Sequence, residues 1–317
     1  METINNIKTQ LSLVSDRLEK DPEDTELLIR KADLLRNLGF QIGDRKYAQE
    51  SLEIISRVVE KNPNDNNARI EKGITHYTLD QQNYAISEYT KSISISPTSR
   101  AYYNRGVSKW RKIEISNDVN HLNLQAKKEA EEVLDDYEAA LEISPRLVNA
   151  IYNKGVVLMK LDRYKEAIEM FNAVTGIEPS KLDARFNLGI CFENLVSPRY
   201  SNISNLNRAI SEYSKVISKD ASYLSAFFNR ALCYEYSGEK GRYSNHKYLE
   251  KSIADYSKIL EVEPQNSHVL NNRGWALQHL GRVKEAIEDF EKVIKFSNDG
   301  FLVGQLKVHI ENLRSAH

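Results

Sequence analysis

Residues 149–179 read NAIYNKGVVLMKLDRYKEAIEMFNAVTGIEP, and this stretch decides the fold. A small residue, Gly155, stands in the middle of an apolar helical pattern. Twelve positions on, Ala167 is followed four residues later by the large Phe171, a spacing that puts both on one helix face. The stretch ends at Pro179, which cannot continue a helix and disfavours helical geometry in the residue before it. The spacing predicts two amphipathic helices and a stop.

Working outward, the same landmarks recur along the chain. Prolines stand at positions 22, 63, 97, 145, 179, 198 and 264, and the gaps Pro63–Pro97 and Pro145–Pro179 are each 34 residues. All but Pro198 close an amphipathic segment of one type, such as LEIISRVVEKNP (52–63) or IADYSKILEVEP (253–264). About ten residues after each of these six comes a small residue in an apolar pattern: Ala32, Gly73, Gly106, Gly155, Gly189 and Gly274. Ala231 stands ten after Ala221, which replaces the proline of the fifth repeat. Glycine inside a helix costs roughly 1 kcal/mol relative to alanine. Five at equivalent places therefore imply a neighbouring helix so close that anything larger than a methyl would block it. The small/large pair recurs as Ala85/Tyr89, Ala209/Tyr213 and Ala286/Phe290, and more loosely as Ser51/Ile55, Val133/Tyr137 and Ser252/Tyr256.

This pattern resembles the tetratricopeptide repeat, whose period is 34 residues. The resemblance implies an all-α fold, a right-handed superhelical solenoid of antiparallel helix pairs occupying residues 1–317. An N-terminal helix over 3–20 precedes seven repeats at 24–63, 64–97, 98–145, 146–179, 180–221, 222–264 and 265–298, and a C-terminal capping helix occupies 299–317. That last segment carries Leu302, Leu306, Ile310 and Leu313 on one side, as a cap over the last core face should. From first-helix small residue to second-helix small residue, three repeats show a spacing of 12, and four show 19, 27, 20 and 21. The extra residues all fall between the two helices of a repeat. Seven to nine of them amount to about two helical turns, so one added turn on each partner would preserve the hairpin. The longest insertion, around RKIEISNDVNHLNLQAKKEA (111–130), has room for its own loop.

Composition narrows the function. Lys plus Arg number 44 against 45 for Asp plus Glu, so no bulk charge draws the chain to nucleic acid or anionic lipid. No apolar run approaches the ~18 residues a membrane helix needs, and METINNIKTQLSLVSD has no secretory character. Two cysteines, Cys191 and Cys233, make no disulfide framework and read as small core residues. The expected location is cytoplasmic. P-loop, GxGxxG, HExxH and paired CxxC patterns are absent, so no catalytic residues, cofactor or metal are expected. His268 and His279, eleven apart on one helix, read as groove-lining polar residues, and the acidic run KKEAEEVLDDYE (127–138) as a solvated outer face.

In the family the first helices line a concave groove. Two residues before each landmark, at a groove-facing position, come Arg30, Glu71, Asn104, Asn153, Asn187, Asn229 and Asn272. An asparagine side chain both donates and accepts, so the five in succession can pair with a peptide backbone without reading side chains. Beside them stand Tyr103, Tyr152, Phe186 and Phe228, and one past the last landmark stands Trp275. A polar line between aromatic walls suits a hydrophobic or amphipathic segment. The positions after the glycines, Ile74, Val107, Val156 and Ile190, do not supply the asparagine of the family's carboxylate clamp. The expected function is a non-enzymatic adaptor holding an extended or helical peptide segment of a protein partner. Two alternatives stand beside it. One is a structural subunit docking through the insertions. The other is an RNA-binding helical repeat using Lys31, Lys72, Arg105, Lys154, Arg230 and Arg273, each immediately before a landmark.

Overall fold

The computed structural model describes residues 2–116, 122–195, 203–237 and 242–316. Among the described residues there are sixteen α-helices and no strand, in agreement with the all-α expectation. The chain forms two compact units, Met1–Asp162 and Arg163–His317. The first contains α1 (Glu2–Leu18), α2 (Thr25–Ile42), α3 (Arg45–Lys61), α4 (Asn66–Thr78), α5 (Gln82–Ile95), α6 (Ser99–Ser116), α7 (Leu124–Ile143) and α8 (Val148–Lys160). The second contains α9 (Tyr164–Ile177), α10 (Leu182–Asn194), α11 (Ile203–Lys219), α12 (Leu224–Tyr236), α13 (His246–Val262), α14 (Ser267–His279), α15 (Val283–Phe296) and α16 (Gly300–Ala316).

Local chemistry marks the helix starts. The carboxylates of Asp24, Asp44 and Asp65 and the amide oxygens of Asn123, Asn245 and Asn266 each accept from a backbone N–H in the first turn that follows. Each satisfies a donor that the helix itself leaves without a partner. Within each unit every helix packs on the next one in sequence. In the first unit α2, α4, α6 and α8 also touch successively, so the first helices of the hairpins form one layer.

The landmarks are the core. Both members of every small/large pair are buried, from Ser51/Ile55 to Ala286/Phe290. Gly73, Gly106, Gly189 and Gly274 face the large residue of their own hairpin partner. A Cβ on Gly73 would lie 2.5 Å from the Tyr89 ring, and one on Gly189 would lie 2.4 Å from the Tyr213 ring. Gly106 and Gly274 stand likewise against Tyr137 and Phe290. The contact is tighter than the sequence implied, because even a methyl group is excluded.

The insertions are accommodated in two ways. In the first hairpin α2 and α3 have 18 and 17 residues where α4 and α5 have 13 and 14, so each helix gains about one turn. The expectation of symmetric lengthening fails at α10 and α12, which keep 13 residues each while α11 and α13 have 17. α10 stops at Asn194 ahead of Pro198, a residue that lies outside the described positions. α12 stops because the chain folds back on it. Ser237 Oγ donates to the Cys233 carbonyl, and the Tyr243 N–H donates to the Glu235 carbonyl at 2.8 Å. The Glu235 carboxylate, buried to 1 % exposure, accepts from Arg242 Nε at 2.9 Å and from the Tyr256 hydroxyl at 2.8 Å. Burial raises the pKa of this carboxyl, and the Arg242 guanidinium opposes the rise.

Candidate peptide-binding surface

A recurring ion pair holds the first helix of a hairpin against the second. Arg105 pairs with Asp136, Arg230 with Asp255 and Arg273 with Asp289, at 2.6, 2.7 and 2.7 Å. In each case the arginine precedes the small landmark and the acid precedes the large residue. Arg69 with Glu88 and Arg185 with Glu212 do the same from one turn earlier on the first helix. Asp136, Asp255 and Asp289 are 2–5 % exposed. These arginines are thus committed to internal carboxylates, whereas Lys154 pairs with the exposed Glu138. Asp136 therefore departs from the solvated face expected of residues 127–138, because its neighbour Tyr137 is the core residue and the pair turns inward together. Glu131, Glu132, Asp135 and Glu138 of that run are exposed.

Beside these pairs, the asparagines and aromatics stand on the first-helix surface. In the first unit Tyr103 and Asn153 meet, the asparagine amide donating to the tyrosine hydroxyl at 3.3 Å. The Tyr103 ring lies 6.1 Å from that of Tyr137. Asn104 and Tyr152 are half-buried beside them. The groove positions of the first two repeats are different in kind. Glu71 is buried between Arg36 and Arg100, and Arg30 pairs with Asp33.

In the second unit Phe186, Phe228 and Asn229 line one cleft of about 530 Å³, together with Leu224, His268, Val269 and Glu263. Phe186 leans on Tyr213 and Tyr223, with ring centres 5.6 and 5.1 Å away, and Phe228 lies 6.0 Å from Tyr256. These contacts fix the rings as walls. Asn229 donates to the Tyr213 hydroxyl at 3.4 Å, and that hydroxyl donates to Glu193 at 3.0 Å. The Asn229 carbonyl oxygen is thereby oriented while its donor is engaged. Asn187 is buried at 9 % exposure, and Asn272 is half-buried. Neither lines this cleft. Trp275 belongs to a separate cavity of about 770 Å³ formed with α16, where its ring packs 4.7 Å from His309 and 5.3 Å from Phe290.

Other candidates resolve into structure. His268 borders the cleft, whereas His279 stacks on Tyr243 at 4.2 Å, about three turns away along α14. Burial and the nearby Arg242 hold the His279 imidazole below its ordinary pKa. Cys191 and Cys233 are fully buried, and burial pushes the Cys191 thiol up to about 12, which suits core residues and not nucleophiles. Among the described residues no group of three or more His, Cys, Asp or Glu side chains is placed to hold a metal. No described helix is long and apolar enough to cross a membrane.

Family models of the tetratricopeptide repeat match residues 148–181 and 267–299. The chain is a tetratricopeptide repeat protein. Both matched segments are repeats with the uninterrupted spacing of 12 between landmarks. This tetratricopeptide repeat protein is 24 % identical over 217 residues to human protein O-mannosyl-transferase TMTC3, a match covering 66 % of the chain. The matched stretch spans about a fifth of that relative's length, 22 %. Among solved structures it resembles YrrB, described as a TPR protein with an unusual peptide-binding site, at 21 % identity and a TM-score of 0.53. That likeness covers 68 % of this chain and 95 % of YrrB. A tetratricopeptide repeat protein from Parabacteroides merdae matches at 17 % identity with a TM-score of 0.53, covering 92 % of this chain and 98 % of the other. At such identities the structural likeness speaks to the fold.

Proposed function

We propose that this protein is a non-catalytic adaptor that holds a peptide segment of a protein partner on its first-helix surface. The observation that carries the reading is the cleft walled by Phe186 and Phe228 and floored by Asn229. Apolar walls take side chains, and an asparagine held by a tyrosine presents a fixed carbonyl to a backbone N–H. The ligand class is an extended or helical segment with apolar side chains, and the site is protein-facing because its arginines are neutralised from within. The same pairing counts against the RNA-binding alternative, which needs those arginines free for phosphate. YrrB is a relative in fold that carries a peptide-binding site, which is consistent with the reading.

The test is affinity capture from native lysate, with wild type compared to Asn153→Ala/Asn229→Ala/Asn272→Ala and bound proteins read by mass spectrometry. Asn187 is left intact because it is buried. A partner captured by the wild type and lost by the variant, with helical content unchanged, is the expected result. A partner retained equally by both would move the working surface to the outer helices or the inserted hairpin ends and would sink the groove reading.

A further inference from the structure

The cleft asparagine stands at the end of a hydrogen-bond relay that begins on a carboxylate. The Tyr213 hydroxyl of α11 donates to Glu193 of α10 at 3.0 Å and accepts from the Asn229 amide of α12 at 3.4 Å. Glu193 stands four residues past its landmark Gly189, and only the next repeat, with Glu235 four past Ala231, carries another carboxylate there. In that repeat too the second helix donates a hydroxyl, Tyr256 to Glu235 at 2.8 Å. The two acids differ in company. Glu235 has the Arg242 guanidinium as counter-ion, whereas Glu193 pairs with no cation among the described residues. On α9 the charged Lys165, Glu166 and Glu169 are exposed. On α11 Arg208 lies over the Phe192 ring, Glu212 is held by Arg185 and Lys215, and Lys219 is exposed. On α12 Arg230 is taken by Asp255, and the buried Cys233 thiol facing Glu193 stays neutral because burial raises its pKa. Burial likewise raises the pKa of the Glu193 carboxyl, and only the hydrogen bond from Tyr213 opposes the rise.

Such a relay has two complete states. An ionised carboxylate only accepts, so Tyr213 must direct its single proton at Glu193. The phenolic oxygen then offers Asn229 a lone pair and takes its amide N–H, which leaves the Asn229 carbonyl for the cleft. That is the arrangement in this structure. A protonated carboxyl carries a proton of its own, and the Tyr213 oxygen is its hydrogen-bond partner among the described residues. With that oxygen accepting from Glu193, the phenolic proton turns to Asn229. The amide must flip to receive it on its carbonyl, and its amino group then faces the cleft. Tyr213 keeps its proton in both states, because burial and the Glu193 charge raise its pKa. Glu193 is not among the residues that line the cleft, so it acts on a ligand only through the relay.

We propose that Glu193 is a positioning residue whose protonation state sets, through Tyr213, which edge of the Asn229 amide faces the cleft. The ionised form presents the carbonyl and takes a donor such as a backbone N–H. The protonated form presents the amino group and takes an acceptor such as a backbone carbonyl. The bearing on a ligand rests on the peptide reading of the cleft, but the relay itself is tested without one. The full chain, isotope-labelled on its asparagine amide nitrogens, is titrated from neutral to mildly acidic pH and followed by NMR. The Asn229 side-chain signals are identified by their loss in Asn229→Ala protein. In wild type they are expected to shift in one step, with a midpoint above the ordinary glutamate range. The Asn153 signals should stay in place, because Asn153 donates to Tyr103, a hydroxyl with no carboxylate partner. Glu193→Gln, whose amide can donate to Tyr213 as the protonated acid does, should hold the acid-end signal at every pH. Tyr213→Phe, which removes the link, should abolish the step while circular dichroism reports the helices intact. Asn229 signals that stay fixed in wild type would overturn the proposal, as would a step that persists in either variant. A fixed Asn229 would leave partner capture from lysate untouched, whereas failed capture with the step present would remove the peptide reading and leave the relay.

Discussion

At the scale of single residues, two helical glycines, one in the last turn of α9 and one in the middle of α10, should respond oppositely to the same change. Gly189 of α10 faces the Tyr213 ring, with 2.4 Å left for a Cβ, whereas Gly176 of α9 is exposed with nothing within 4 Å. Alanine favours a helix over glycine by roughly 0.5–1 kcal/mol, so Gly176→Ala should stabilise by about that much. Gly189→Ala must displace a buried ring and should destabilise by ~1–3 kcal/mol despite the propensity gain. Thermal unfolding followed by circular dichroism measures both. If Gly189→Ala raised the melting temperature, the close approach would not be the reason glycine stands there.

At the scale of the helix pair, the ion pairs between first and second helices differ sharply from those on the surface. Asp289 is 2 % exposed and held by Arg273, while Glu285 of the same helix pairs with Arg282 in the open. Asp289→Ala leaves a guanidinium without its buried partner and should cost about 3 kcal/mol or more. Glu285→Ala should cost only ~0.2–1 kcal/mol. Similar losses in urea melts of the two variants would count against the pairing as a packing element. The helices themselves were legible in sequence because a small residue opposite an aromatic is a steric requirement that leaves a mark at every repeat. The ion pairs were legible in principle. Arg105, Arg230 and Arg273 read as a basic row, and the signal that corrects this is the acid before each large residue: Glu88, Asp136, Glu212, Asp255 and Asp289. Of the candidate site, periodicity supplied positions but not neighbours. It could not tell that Phe186 and Phe228 share a cleft while Trp275 turns to α16, because α16 lies outside the repeat pattern. Nor could it foresee that Asn229 would be held by Tyr213, a residue that periodicity marks only as core.

At the scale of the whole molecule, each helix leans chiefly on its neighbours in sequence, so stability is a sum of local terms and unfolding should not be one concerted event. The two tryptophans fall one to each unit, Trp110 in α6 and Trp275 in α14. In Trp275→Phe protein the remaining fluorescence reports the first unit, and in Trp110→Phe protein the second. Gly73→Ala should shift the Trp110 transition in urea well ahead of the Trp275 transition, and Gly274→Ala should do the reverse. Identical shifts at both reporters would mean that the chain unfolds as a single body. A chain of similar hairpins faces a further hazard while it folds, since any first helix offers roughly the right shape to several second helices. The uneven distribution of the Arg–acid pairs guards against this. The position before the large residue is Ile54 in the first hairpin and Met170 in the residues following α8, where the others carry acids. Joining α6 to the helix that bears Met170 would strand Arg105 against a thioether and leave Asp136 unanswered. The Arg–acid pairs thus disfavour those out-of-frame hairpins that would set Ile54 or Met170 opposite an arginine.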